Sequence, residues 1–531
     1  MTGTGKLIRL ILRRDRFLLP LWVVLLGVLP AGYVGSFEAL FPTAAERADY
    51  ADLSRHNAGF VALYGPLHGD SIAELVTWRA GFVPVMIGLF ALLTVIRHTR
   101  TDEEQGRTEL VGAAAVGRHA PLAAALLTTG AVGLVLGVIT TVATIGAGLP
   151  AAGSLWFGVE FALSAWVFAA VAAVTAQLTA SARGARGLAI IVLGVAYVLR
   201  LAGDISALGS GALSWLTWLS PVGWVQHIFP YGENAAWPAL LAVLFTAVTT
   251  TVGVVLLGRR DFGAGVLPAR LGPATAAAGL RSPVALAWRL HRGLLAGWVV
   301  GFAALGVIFG GVGDSVVDLA DGNSGLSDIF ARMGGSDALL DAYFAAIAGM
   351  VGIIAAGYAV QATLRLREEE TTGHAEALLS TPVSRLGWAG SHLAFSLLGP
   401  AVVLAVEGLA AGLVYGLIAG DVGGQLPAIL GGTLAQLPAV WVLAATAVLL
   451  TGLLPRFAAV AWGALAACLL LLLLGSTLRL NQWVLDVSPF THVPHLPGGD
   501  LAWLPLAALT GIAAVLTAAG LAALRRRDIP A

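Results

Sequence analysis

The sequence predicts an all-α integral membrane protein: twelve transmembrane helices as two parallel six-helix repeats, with short amphipathic elbow and coupling helices on the cytoplasmic side. Three observations predict it. Of the 531 residues, 58% are hydrophobic and 11% charged, with a mean hydropathy of +0.86; soluble domains carry about a quarter charged residues. Apolar runs reach the roughly 20 residues that a helix needs to cross a hydrocarbon core. Landmarks of the first half also recur in the second at a nearly constant offset.

The runs lie near 17–34, 80–97, 119–148, 156–179, 187–203 and 236–257, then near 293–312, 343–365, 387–418, 427–453, 457–478 and 502–524. Gly106 and Gly373 are 267 positions apart, as are Arg259-Arg260-Asp261 and Arg526-Arg527-Asp528, while Ser220-Pro221 and Ser488-Pro489 are 268 apart. Arg16 with Trp22-Val23-Val24 matches Arg292 with Trp298-Val299-Val300 at an offset of 276, and a longer first outer loop absorbs the difference. Such a repeat decides the architecture before any local reading does. It divides the chain into a first six-span half at 1–262, a cytoplasmic linker at 263–282 and a second six-span half at 283–531.

An even number of spans per half gives both halves the same orientation, so the repeat axis runs along the membrane normal. With both termini inside, 24 of the 30 lysines and arginines fall in inner segments. The six outside are Arg47, Arg55, Arg79, Arg200, Arg332 and Arg479, which is the asymmetry expected of cytoplasmic loops. Outer segments hold acids such as Asp314, Asp318, Asp321 and Asp328. Phe17 to Tyr33 is followed by no small-residue cleavage site and reads as an uncleaved first span.

Just before the first span of each half lies an amphipathic segment. Leu7, Ile8, Leu10, Ile11 and Leu12 alternate with Arg9, Arg13, Arg14 and Arg16; Val284, Leu286, Ala287 and Leu290 alternate with Arg289, His291 and Arg292. Each fits a helix lying in the inner headgroup layer. After the second span of each half comes an acidic-Gly-basic segment, Glu103 to Glu109 and Glu370 to Glu376. In the first copy Glu103, Gly106, Arg107 and Leu110 fall on one helical stripe, with Glu103 and Arg107 in the favourable order. A glycine inside a helix costs stability, so its double occurrence predicts a close backbone approach there.

Several chemistries are excluded. A P-loop needs G-x-x-x-x-G-K-[ST], and the single lysine, Lys6, is followed by Leu7. No nucleophile elbow, H-E-x-x-H motif or Cys/His cluster is present, and Cys468 lies alone within an apolar run. His492 and His495 lack the third and fourth ligands that a zinc site needs. The sequence thus predicts no catalytic residue, no metal site and no cofactor bound by this chain.

Ionisable groups within spans are functional candidates because burying them in lipid is costly. Glu160 and Glu407 qualify, and Gln436, Gln177 and Gln361 are weaker polar candidates; Glu160, Glu407 and Gln436 are the predicted substrate-cavity residues. Gly133/Gly137, Gly297/Gly301 and Gly412/Gly416 read as close helix packing.

The acidic-Gly-basic segment that runs into Ala377-Leu378-Leu379-Ser380-Thr381-Pro382-Val383-Ser384-Arg385 resembles the loop after the second span of ABC-2 type transporter permeases. The Ser-Pro pairs, and Gly258 to Gly265 with Leu267-Pro268-Ala269-Arg270 and Trp288 to Arg292, resemble the fused twelve-span group described as exporters of polyketide antibiotics and other drugs. The resemblance covers essentially the whole chain. It implies a permease without its own ATPase site, in the bacterial plasma membrane, moving hydrophobic or amphipathic compounds outward through a cavity between the halves. A separate ATP-binding cassette subunit, holding ATP and Mg, would dock as a homodimer beneath it. The docking residues so implied are Glu103, Glu104, Gly106, Arg107, Glu109, Arg118, Glu369, Glu370, Gly373, His374, Glu376 and Arg385. The first copy departs from the pattern, with Ala113-Ala114-Ala115-Val116-Gly117-Arg118 where the second has Ser380 to Arg385, which puts strict equivalence of the two sites in question.

The alternative is a twelve-span proton-coupled antiporter of the major facilitator type, with Glu160 or Glu407 carrying protons. The loops after the second spans lack that family's Gly-x-x-x-Asp-Arg-x-Gly-Arg pattern. A membrane-embedded transferase would need outer-loop carboxylates that the sequence does not gather.

Overall fold

Apolar runs become helices because a backbone in hydrocarbon must satisfy its own hydrogen bonds. A computed structural model describes residues 2–112, 115–209, 211–268, 274–322, 336–474 and 481–528, with side chains at all of these except 110–112, 314–322, 336–338 and 473–474. Among the described residues no strand forms, and eleven helices are long and apolar enough to cross a membrane. The run at 457–478 forms helix Val460–Leu474, and 475–478 lie outside the described residues. So do Asp328, Arg332, Arg479, Arg270 and Ala113-Ala114, together with the side chains of Asp314, Asp318 and Asp321. The chain separates into two compact units, Met1–Gly272 and Pro273–Ala531.

In the first unit, α1 (Thr4–Arg14) ends at Asp15 and α2 (Leu18–Leu40) follows. The amphipathic reading of α1 holds, but one face is covered by protein: Ile11 packs on Ala124 and Ala125, with Leu7 and Ile8 beside it. Leu10 and Leu12 remain exposed. Three short helices, α3 (Ala44–His56), α4 (Ala58–Tyr64) and α5 (Ile72–Arg79), form the long loop after α2. Thr43 with Glu46 and Ser71 with Glu74 cap α3 and α5 reciprocally. Then come α6 (Val83–Glu104), α7 (Arg107–Gly112), α8 (Ala120–Gly146), α9 (Ala151–Leu178), α10 (Ala182–Leu208), α11 (Pro221–Gln226) and α12 (Ala236–Arg259).

Small residues place α9 at the centre of this unit. Gly133 and Gly137 of α8 face Ala165 and Gly158 of α9, and Gly253 of α12 faces Ala173. A side chain at any of these glycines would meet the neighbouring helix, so the small-residue pairing reading holds for Gly133/Gly137.

In the second unit, α13 (Pro283–Gly322) is one unbroken helix, so the predicted second elbow is its first turns rather than a separate surface helix. Asp15, which stops α1, has His291 as its counterpart, and no residue there forces a break. Next are α14 (Ser336–Thr371), α15 (His374–Leu379), α16 (Arg385–Ile418), α17 (Val422–Leu434), α18 (Leu437–Leu453), α19 (Val460–Leu474) and α20 (Trp503–Arg526). Gly306 and Gly310 of α13 lie against the backbone of α16 near Glu407 and Ala411, Gly412 and Gly416 against Leu426 and Val422, and Gly452 against Gly520. Gly297 and Gly301 have open space around them among the described residues, so packing within the chain does not explain that pair.

Candidate functional site

The acidic-Gly-basic segments sit where long helices end. α6 widens into a π turn over Arg97–Thr101 and stops at Gly106, whose φ of 70° is left-handed. α14 stops at Gly373, with φ 76°. Glycine reaches that region without the strain of a Cβ and so ends a helix. A Cβ built at either position has no atom within 4 Å. The predicted close backbone approach is therefore absent within the described chain, and the turn itself demands the glycine. The continuous stripe through Glu103, Gly106, Arg107 and Leu110 is not formed either, because the chain changes direction at Gly106.

Glu103 turns inward instead. Its two carboxylate oxygens each accept a hydrogen bond of 2.6 Å from Arg260 at the end of α12, and Gly263 N–H donates to Oε1 at 2.7 Å. Arg100 lies 2.9 Å from Oε2. Arg260 Nε donates to Gln177 Oε1 at the end of α9, 2.7 Å away. Arg118, at the start of α8, donates to the carbonyls of Leu257 and Arg260. Three arginines and one carboxylate thus bind the ends of α6, α8, α9 and α12 into one knot, with the Glu103 side chain 7% exposed. Forked arginine–carboxylate pairs of this kind are strong and geometrically specific.

The second unit repeats the knot. Glu370 accepts from Arg527, after α20, and from Arg367 at 3.0 Å, and its side chain is fully buried. Arg385 donates to the Arg527 carbonyl at 2.6 Å. The members Arg100, Glu103, Arg118 and Arg260 correspond to Arg367, Glu370, Arg385 and Arg527, every one at an offset of 267. Arg260 and Arg527 were landmarks of the repeat but not predicted site residues; their shared offset with the two glutamates was the signal available.

Around each knot lies a more exposed rim. Arg107 pairs with Asp102 at 2.9 Å and is half exposed, and Arg14 reaches Asp102 at 2.7 Å. Glu104 accepts from Ala182 N–H at the start of α10. Glu109 and Glu376 are exposed. Glu369 pairs with Arg365 at 2.7 Å and lies 3.4 Å from the exposed His374. Asp15 accepts from His98 Nε2 at 2.6 Å and pairs with Arg97 at 3.1 Å, tying α1 to α6; its counterpart His291 meets His392 at 3.0 Å.

The predicted cavity residues do not gather in one place. Glu160, in the first unit, is 3% exposed and lines a cavity of about 270 Å³; its Oε2 has no hydrogen-bond partner in the protein. Glu407, in the second unit, is fully buried with both carboxylate oxygens unpartnered. Gln436 precedes α18 with its side chain against Gly352. Gln177 belongs to the first knot, and Gln361 accepts from the Trp298 indole.

Sequence reasoning counted Arg200 among the outer basic residues, at the outer end of the run at 187–203. It is instead fully buried in α10, which runs five residues past the predicted span, and the chain at Ser214–Leu219 folds back on it. Arg200 donates to the Val61 carbonyl at 2.8 Å, and Asp204 accepts from Thr217 at 2.7 Å. Nearby, burial pushes His227 down to about 4. Among the described residues no three His, Cys, Asp or Glu side chains group as metal ligands.

The family described as multidrug efflux system permease Rv1217c, C-terminal domain, matches residues 6–257 and 280–525. The multidrug efflux system permease protein Rv1217c of Mycobacterium tuberculosis is 45% identical over 529 residues, which cover 99% of this chain and 95% of that protein.

Proposed function

The chain belongs to the multidrug efflux system permease family, and from that premise we propose that it is the membrane-spanning subunit of an ATP-binding cassette exporter. It moves hydrophobic or amphipathic compounds, of antibiotic, polyketide or multidrug type, out across the bacterial plasma membrane. Twelve spans, with Val460–Leu474 beginning the eleventh, form two parallel six-span repeats joined by a linker at 263–282, both termini being cytoplasmic. ATP and Mg bind to a separate cassette subunit that docks as a homodimer on the loops after the second span of each repeat.

The observation that carries this reading is the doubled knot. A loop that only needed to be soluble would not spend its glutamate, twice and at the same offset, on an arginine 157 residues away. In the proposed cycle the exposed residues Arg107, Glu109, His374 and Glu376 meet the cassette. Glu103 and Glu370 then carry the displacement of the loop to the last span of each repeat. Glu104, Gly106, Arg118, Glu369, Gly373 and Arg385 hold the loop in shape, and Glu160, Glu407 and Gln436 serve the transported compound.

The test is ATPase activity of the purified permease, alone and with a co-purified cassette subunit. We expect none alone and drug-stimulated activity with the subunit. Transport that persists without any cassette and collapses with the proton gradient would overturn the reading in favour of an antiporter. Reversing Glu109 and Glu376 to lysine is expected to weaken cassette capture without changing thermal stability, since both are exposed. Unchanged capture would make these segments solvated loops only.

A further inference from the structure

The cavity at Glu160 lies at the opposite end of the first unit from its knot. Gly81, just before α6, lines it, and Glu103 ends the same helix, roughly 30 Å away at 1.5 Å per residue. Its walls come from the segments between α4 and α5 and between α11 and α12, closed below by α9.

Three features of this space point to a ligand. The first is an acidic lining. Glu74, Glu160 and Glu233 line it, and the lining contains no arginine or lysine among the described residues. His68 does not offset them, because desolvation holds it below the ordinary histidine value, overcoming the opposing pull of Glu233. Arg55 donates to the carbonyls of Leu67 and His68, and Arg79 donates to the Tyr64 hydroxyl with its guanidinium 4.7 Å over one face of that ring.

The second is unspent polarity. Glu160 Oε2 and Gln226 Oε1 have no partner in the protein, on side chains that are 3% and 8% exposed. Both belong to residues lining the space, and a buried acceptor without a donor costs free energy until something supplies one. The third is shape. Tyr64, Trp78 and Phe229 add aromatic surface to the lining. The loop that carries Phe229 holds three non-glycine residues at positive φ, Phe229 (46°), Tyr231 (67°) and Asn234 (49°). Strain of that kind persists where the surrounding structure imposes it, and it concentrates at ligand sites.

Carboxylates, unfilled acceptors and aromatic faces together suit an organic ammonium: the charge meets Glu160, N–H groups or a polarised N-methyl shell meet the acceptors, and the aromatic rings supply cation–π attraction. The volume is below the range of drug-sized pockets, roughly 300–1,000 Å³, so it takes a head group and leaves an apolar remainder outside. A metal ion fits less well, since no three ligands converge among the described residues.

We propose that this cavity is a binding site for the ammonium head of an amphipathic organic cation, with Glu160 as its counter-ion and Tyr64, Trp78 and Phe229 as its aromatic wall. The site deepens the permease reading but does not depend on the ATPase partner. Its natural source is either a cationic transported compound or the ethanolamine head of a phospholipid.

The experiment titrates the purified permease, without any cassette, in phosphatidylglycerol nanodiscs. The probes are phenyltrimethylammonium and its uncharged isostere tert-butylbenzene, read by the shift in thermal unfolding. Wild type should be stabilised by the cation and much less by the isostere. Glu160→Gln should weaken the cation by about tenfold, the effect of losing one charge-assisted contact, and leave the isostere unchanged. Should Glu160→Gln not fold, Glu74→Gln preserves the α5 cap, because glutamine serves at that position too, and should weaken the cation about threefold, a rim charge contributing less than a buried one. Equal binding of the two probes to wild type, or an unchanged cation affinity in the folded variants, overturns the proposal. Adding phosphatidylethanolamine to the nanodiscs separates the sources: competition with the probe assigns the site to lipid, and no competition assigns it to a transported compound. Because no cassette is present, failure here leaves ATP-driven export standing, and failure of ATP coupling leaves this site standing.

Discussion

The two knots share four residues at one offset and differ in how deeply their arginines are buried. In the first, Arg260 spends every nitrogen: two on Glu103 and the third on Gln177. In the second, Arg527 Nε and Nη1 are buried without partners. No glutamine stands 267 positions after Gln177; the residue there is Ala444. The neighbouring junctions differ as well, an acid–histidine pair in one unit and two histidines in the other. Each knot leaves two arginine nitrogens buried without a hydrogen-bond partner, Nε and Nη1 of Arg100 in the first and of Arg527 in the second, but Arg100 and Arg260 are 1% and 6% exposed where Arg367 and Arg527 are 23% and 14% exposed. The comparison teaches that one lock was copied and that one copy is more open to water.

Removing the carboxylate should break both locks and rank them. Glu103→Gln leaves Arg100 and Arg260 buried without a counter-charge, and loss of one member of a buried pair costs about 3–5 kcal/mol. Thermal unfolding in nanodiscs should show a large loss. Glu370→Gln should lose less, because Arg367 and Arg527 are 23% and 14% exposed and water can solvate them. Equal losses would remove the asymmetry.

A finer test converts one lock toward the other. Gln177→Ala removes the acceptor for Arg260 Nε and should cost about 1–3 kcal/mol, the penalty of an unsatisfied buried donor. The variant should then unfold with Glu370-type sensitivity: adding Glu103→Gln to it should cost less than in wild type. Strict additivity would mean that Gln177 is no part of the lock.

The smallest effect is expected at the turns. Gly106→Ala and Gly373→Ala force an alanine into left-handed backbone, at a cost of about 1–2 kcal/mol, and the two should match because both sites are sterically open. Gly→Asn at either should recover part of the loss. A much larger penalty at one glycine in the cassette complex alone would show that a partner backbone approaches it there.

Much of the fold was legible because hydrophobic length is a local property: eleven of the twelve apolar runs coincide with stretches of helix long enough to cross a membrane, the run at 427–453 as the pair α17 and α18, while the run at 457–478 gives only Val460–Leu474 among the described residues. What failed was decided by distant chain. Arg200 counted as an outer residue until Ser214–Leu219 folded over it, and Gly106 looked like mid-helix because the pull of Arg260 on Glu103 lies 157 positions away. The second elbow misled for a local reason, since the stopping residue Asp15 had become His291. For the candidate site, the glutamates and arginines were each visible in sequence, and only their pairing was not. The cavity at Glu160 was legible as a lone acid in a span, while its walls, built from loops on either side, were not.

The central claim is that the knots carry the movement of the docking loops to the last spans. It is tested most directly by counting drug molecules exported per ATP hydrolysed in proteoliposomes holding the permease–cassette complex, comparing wild type with Glu103→Gln/Glu370→Gln under conditions where both remain folded. The account predicts that cassette capture and ATP hydrolysis persist in the variant while export per ATP falls sharply. An unchanged ratio with both locks open would contradict it.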